Sequence, residues 1–175
     1  MTCRFVLSDL VEDEIGHEDG YSIFEPTVAL EINGKNVFHV LGINGAKNTV
    51  IMYFREDAIK ETIKMIDGLD EENGEYKYWL DGTGFGFRLE RNGRNLGVFL
   101  EVDKIGPTQG VRWPQTVYVG TVSVDEWVEA IVSLSGALSE TFRRSNPSIF
   151  DDQIVRRQEA KISRMGEWLR SAQRI

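Results

Sequence analysis

Glycine recurs at positions 82, 84 and 86, directly after Asp81, inside the run YWLDGTGFGFRLERNGRNLGVFLEV of residues 78–102. Bare backbone beside an acid is the raw material of a phosphate cradle. Such a cradle needs a strand before the glycines and a helix opening at them, or the longer spacing G-x-x-x-x-G-K-[ST]. Neither is present. The glycines run instead into alternating apolar and polar residues, and Asn92-Gly93 reads as a tight turn. Folded there, the run makes a hairpin in which Leu89 faces Leu96, Phe87 faces Val98 and Phe85 faces Leu100. The other surface then sets Phe99 over Gly86, an aromatic ring covering bare backbone and pinning register. The glycines belong to a strand.

The remaining chemistry-bearing residues are sparse. Asp9, Glu12, Asp13, Glu14, Glu18 and Asp19 surround His17, and carboxylates with a histidine suit a hard cation. The spacing lacks the alternating oxygen ligands, central glycine and terminal Glu of a calcium loop, so a solvated acidic loop is the better reading. Asp67, Asp70, Glu71, Glu72 and Glu75 form a second acidic group, in the connector that follows the first helix. The only other histidine, His39, sits in an apolar pattern and reads as structural. Ser123 lies in no G-x-S-x-G elbow. Carboxylate separation, which glycoside chemistry would need, is not legible in sequence. No catalytic residue, cofactor site or metal site is assigned.

The elements around these residues follow from periodicity. In FEPTVALEINGKNVFHVLGI, Asn33-Gly34 is a hairpin turn that sets Val28, Leu30 and Ile32 on one face with Val37, His39 and Leu41. A third strand, TVIMYFR, completes an antiparallel meander. From Glu56 the period becomes helical, with Ile59, Ile63 and Ile66 on one face and Gly68 as a stop. A strand from Thr116 to Val122 leads to Ser123, whose capping box with Glu126 starts a helix bearing Trp127, Ile131, Leu134, Leu138 and Phe142 on one face. Asn146-Pro147-Ser148 ends it. A last helix over 149–172 carries a thinner stripe of Ile154, Ile162, Met165 and Leu169, and packs at the periphery or on a partner. The fold class is α+β: an antiparallel twisted sheet of about six strands, helices on one face, and a long C-terminal helix.

The 175 residues suit a single domain over 1–175, with 41% hydrophobic and 27% charged residues. There is no apolar run of about 18 residues and no secretory signal pattern. Cys3 is the one cysteine, which excludes an internal disulfide and suits a cytoplasmic location. The net charge of −8 is uneven: residues 1–75 hold 16 acids and 6 bases, residues 76–175 hold 12 acids and 14 bases. Such a field argues against nucleic acid and anionic membrane and favours a basic protein. The arginines of the last helix are interspersed with Asp151, Asp152, Glu159 and Glu167, so they make no basic footprint.

Over 74–142 the order of elements, GEYKYWLDGTGFGFRLERNGRNLGVFLEV, a Trp-bearing loop, then TVYVGTVSVDEWVEAIVSLSGALSETF, resembles small bacterial immunity proteins. Those are partners of polymorphic or contact-dependent toxins, wall-associated ones included. The tail after Asn146 lies outside that pattern. The resemblance implies a cytoplasmic, non-enzymatic protein that binds and neutralises a toxin, and the acidic half of the chain suits a basic, nuclease-like partner. Candidate partner-binding residues are the acids and the aromatics among them: Asp13, Glu14, Glu18, Asp19, Tyr21, Asp70, Glu71, Glu72, Glu75, Tyr76, Tyr78 and Trp79. Two other readings stay open: a phage-type, anti-CRISPR-like inhibitor whose acids mimic nucleic acid, and a small ligand-binding domain or enzyme using the sheet face.

Overall fold

The computed structural model describes residues 3–13, 23–37, 50–51, 62, 64–66, 69, 73–80, 85–102, 116–145, 156, 160–164 and 166–167. Within them lie two antiparallel sheets and a long helix, in the order β1 (Cys3–Asp13), β2 (Ile23–Ile32), β3 (Lys35–Asn36), β4 (Val50–Ile51), β5 (Asn73–Leu80), β6 (Phe85–Asn92), β7 (Asn95–Val102), β8 (Thr116–Ser123) and α1 (Val124–Ser145). The class is α+β. The expected single sheet of about six strands is corrected: β1 to β4 form one sheet and β5 to β8 another.

The first sheet is organised by β2. Along one edge it pairs with β1 from Cys3↔Ile32 to Asp13↔Ile23, with an irregularity between Ser8 and Leu10. Its other edge takes β3 at Glu31 and Ile32 and β4 at Thr27 and Val28. Asn33 and Gly34 both have positive φ, 52° and 74°. That is the two-residue turn whose twist matches the strands it joins, as its sequence predicts. Cys3, Phe5 and Leu7 lie opposite Ile32, Leu30 and Val28, so period-2 alternation puts all six on the core face. On the other face Arg4 bonds Glu31 at 2.6 Å. The expected acidic loop at the N-terminus is corrected in part, since Asp9, Glu12 and Asp13 belong to β1. Val37 is buried beside Ile32 as expected. His39 and Leu41 lie outside the described residues, as do Glu14, His17, Glu18, Asp19 and Tyr21.

The second sheet runs β5-β6-β7-β8 in chain order. The β6–β7 hairpin keeps the expected faces but not the expected register: Leu89 pairs with Val98, Phe87 with Leu100 and Phe85 with Val102. The turn is Gly93-Arg94, because Gly93 takes a φ of 57° while Asn92 stays extended and pairs with Asn95. Glycine first in a two-residue loop is the type II′ pattern. The two-residue shift preserves every side chain's face, but it sets Phe99 opposite Arg88 instead of Gly86. The glycine under the Phe99 ring is Gly97, where an added Cβ would lie 3.4 Å from Phe99 Cε2.

Helix α1 starts at the predicted capping box. Ser123 Oγ accepts the Glu126 N–H at 3.1 Å, and Glu126 Oε2 accepts from the Ser123 N–H at 3.2 Å and from its hydroxyl at 3.1 Å. Asp125 and Glu126 in the first turn add charge where the helix dipole favours it. The stripe Trp127, Ile131, Leu134 and Leu138 is buried, with Glu129, Ser133 and Gly136 exposed behind it. The helix lies mainly along β1 and touches β7 and β8. It thereby closes one core shared by the inner faces of both sheets.

Trp127 is the centre of that core. Its ring meets Phe5 of the first sheet at 5.7 Å and Phe87 of the second at 5.9 Å, both edge-on. Such aromatic pairs add about 1 kcal/mol each beyond burial. Its Nε1–H donates to the Met65 carbonyl at 2.9 Å, which fastens the segment of residues 64–66 to α1. Arg91 donates to the carbonyls of Leu69 and Gly93, tying Leu69 to the β6–β7 hairpin. Ile66, predicted on that helix's apolar face, is buried with Met65 and Leu69. In the last helical segment, 160–164, Ile162 is buried while Lys161, Ser163 and Arg164 are exposed.

Candidate binding face

The outer face of the second sheet collects the charged residues that its core face cannot hold. Register fixes three cross-strand rows: Glu75, Glu90, Gly97 and Thr121; Lys77, Arg88, Phe99 and Tyr118; and Trp79, Gly86, Glu101 and Thr116. Arg88 stands in the middle row with its side chain only 15% exposed. Its Nε donates to Glu101 Oε1 at 3.1 Å, and one terminal nitrogen reaches Glu75 at 3.1 Å and Glu90. Its guanidinium also stacks on Phe99, 3.8 Å from the ring centroid. The planar, delocalised cation suits this use, with an aromatic on one side and carboxylates at its rim.

The acids are not equivalent. Glu101 is 16% exposed and tied on both oxygens, to Arg88 and to the Thr116 hydroxyl at 3.0 Å. Glu75 and Glu90 are half-exposed. Glu75 also meets Lys77 at 3.2 Å; the hydrogen bond from Lys77 chiefly, with that from Arg88 and the charges of both cations, holds its carboxyl below the ordinary value of 4.5 despite the opposing effect of desolvation. Burial pulls the Arg88 pKa down, but the hydrogen bonds to Glu90 and Glu75 outweigh it and leave it raised. Three carboxylates therefore share two cations, with an excess of negative charge at the exposed end of the face.

At the β8 end the face turns aromatic. Tyr118 is 56% exposed, its ring tilted against Phe99 at 5.2 Å and its hydroxyl hydrogen-bonded to Thr121 at 2.6 Å. Its exposure depends on a bulge. Val98 pairs with Gly120 and Phe99 with Tyr118, so Val119 has no opposite residue on β7. Beside the bulge, between β8 and the Asn33-Gly34 turn, a cleft of about 270 Å3 opens. Ile32, Val37, Val117 and Val119 line its walls, and Asn33, Lys35 and Tyr118 its rim.

The sequence candidates divide against this geometry. Glu75 is on the outer face, bonded to Arg88. Tyr76 is partly buried against the core, and Tyr78 is buried, its ring 5.6 Å from Phe87. As a partner anchor Tyr78 is corrected: burial in the intact fold leaves it no surface to offer. Its hydroxyl, without a hydrogen-bond partner among the described residues and near Cys3, has its pKa raised well above the usual phenol value, chiefly by burial. Asp13 pairs with Ile23 at the end of β1, and Trp79 pairs with Gly86 in β5. Glu14, Glu18, Asp19, Tyr21, Asp70, Glu71 and Glu72 lie outside the described residues. Sequence reading missed Arg88, Glu90, Phe99, Glu101 and Tyr118 as one surface. The alternation that takes them off the core was visible, but their grouping needs the pairing of four strands.

Among the described residues no three His, Cys, Asp or Glu side chains are placed to hold a metal ion, and no helix is long and apolar enough to cross a membrane. Comparisons with protein-family models, curated proteins and solved structures return no match.

Proposed function

We propose that the chain is a non-enzymatic binding protein that holds a basic protein against the outer face of its second sheet, in the manner of an immunity protein blocking a bacterial toxin. The observation that carries this reading is the uneven sharing at Arg88: Glu75 and Glu90 are half-exposed and compete for one guanidinium nitrogen. A lysine or arginine from a partner would complete that pairing at small desolvation cost, because both acids already face water. Tyr118 and Phe99 beside them supply aromatic area of the kind that anchors interfaces. The acid-rich first half of the chain adds a long-range field that speeds encounter with a cation-rich surface.

The experiment is capture from a native lysate on the immobilised chain, eluted with a salt gradient. The reading expects a basic protein that leaves as ionic strength rises, and loss of that protein with a Glu75→Lys, Glu90→Lys double variant. Retention of the same proteins by parent and variant alike would overturn it.

A further inference from the structure

We propose that the cleft between β8 and the Asn33-Gly34 turn binds the C-terminus of an extended peptide, taking its last aliphatic side chain and its free carboxylate. This site shares only Tyr118 with the charged face and does not rest on the function proposed for that face.

Three observations meet there. First, β8 is the end strand of the second sheet, and among the described residues no strand pairs with its other edge. At Gly120 the inner face of β8 is covered by Ile32, and Val117, Tyr118 and Val119 border the cleft. An unpaired edge offers backbone N–H and C=O groups to an added strand. The bulge at Val119 normally protects such an edge from long pairings, because it bends the strand and leaves room for a short one.

Second, the walls are aliphatic. Ile32, Val37, Val117 and Val119 enclose about 270 Å3, near the lower limit for small-ligand pockets. One branched side chain and a chain end fit that space; a folded domain does not.

Third, Lys35 stands on the rim, exposed, and its side chain makes no ion pair or hydrogen bond among the described residues. In a chain of net charge −8, an unpaired lysine beside an apolar cleft selects for an anion. A cationic peptide is disfavoured there, and an uncharged apolar ligand would leave the lysine unused. A chain-terminal carboxylate satisfies the lysine while its preceding backbone pairs with the edge and its side chain fills the cleft.

The test is a titration of the 15N-labelled chain with a pool of hexapeptides ending in Val, Ile or Leu, the other positions randomised. A second pool is identical but C-terminally amidated. The free-acid pool should shift the backbone amides of Lys35, Val117, Tyr118 and Val119 in a saturable manner. Amidation should weaken binding about ten-fold, the scale of losing a hydrogen bond to a charged group. Lys35→Ala, at an exposed position outside the core, should weaken the free-acid pool to the same degree and leave the amidated pool unchanged. Equal binding of both pools, no shift at these amides, or indifference to Lys35→Ala would overturn the proposal. Isovalerate alone producing the same shifts at the same concentration would assign the cleft to small carboxylates and equally overturn the peptide reading.

Discussion

Ile32 of the first sheet packs directly against Gly120 of the second: a Cβ on Gly120 would stand 2.8 Å from Ile32 Cγ2. Ile32 is 3% exposed and branched at Cβ, so that methyl cannot swing away without changing rotamer. Gly120→Ala should therefore destabilise the fold by about 1–3 kcal/mol, the usual cost of overpacking. Ile32→Ala removes the opposing methyl, so in the double variant the two losses should sum to less than in the singles. Urea unfolding of all four proteins measures the coupling; strict additivity would contradict the close approach.

Trp127 joins both sheets and the segment of residues 64–66 through one side chain. Trp127→Phe keeps most of the ring but leaves the Met65 carbonyl without its donor. A cost of about 1–3 kcal/mol follows from an unsatisfied buried acceptor. Trp127→Ala should cost about 3–5 kcal/mol, as for other emptied aromatic sites. Thermal or urea denaturation separates the two: an unchanged stability in Trp127→Phe would mean that the hydrogen bond contributes nothing, and equal losses in both variants that the retained ring contributes nothing.

Much of this was legible in the sequence wherever a signal is local. The Asn33-Gly34 turn, the Ser123 and Glu126 capping box, and the stripe from Trp127 to Leu138 each depend on residues within a few positions of one another. The strand β1 was obscured because Val6 interrupts the polar side of its alternation and the acids from Asp9 onward suggest a loop. In β5, Glu75 reads as part of the acidic connector, although Tyr76 and Tyr78 alternate as a strand requires. The division into two sheets was not legible, because what separates them is the packing of Ile32 on Gly120 and of Trp127 between Phe5 and Phe87. The Arg88 cluster was hidden for the same reason: Glu75, Arg88 and Glu101 lie thirteen positions apart in succession, and only the register brings them together.

Cys3 is buried at the start of β1, and burial, followed by the charge of Glu126, pushes its thiol up to about 12. Its thiolate, the reactive form, is accordingly suppressed. Alkylation of the native chain at mildly alkaline pH should be slow and should accelerate only in denaturant. The shift also sets a pH dependence. The unfolded thiol ionises near 9 while the folded one stays protonated to about 12. This contribution to stability is thus complete below pH 9 and is lost between 9 and 12. Cys3→Ala should flatten that alkaline decline; an unchanged slope would mean that other groups cause it.

Arg88→Ala should leave Glu75, Glu90 and Glu101 facing one another without their shared cation. A loss of about 1–3 kcal/mol at neutral pH is expected, since Arg88 and Glu101 are partly buried. Arg88→Lys should recover little of it, because an ammonium cannot spread over three acceptors and a ring at once. Glu75 is held below its ordinary pKa, so its contribution is present above the ordinary carboxylate range and fades as pH falls through its lowered value. The stability gap between parent and Arg88→Ala should narrow on acidification, as measured by urea unfolding across the acidic range.

The central claim is that the exposed acids of the second sheet receive a basic protein. Its most direct measurement is the association rate of the captured partner with the parent chain and with Glu75→Lys, Glu90→Lys, at low and at moderate salt. The double variant should associate about ten-fold more slowly at low salt, and the difference should shrink as salt screens the charges. Equal rates for the two proteins at low salt would contradict the assignment of this face.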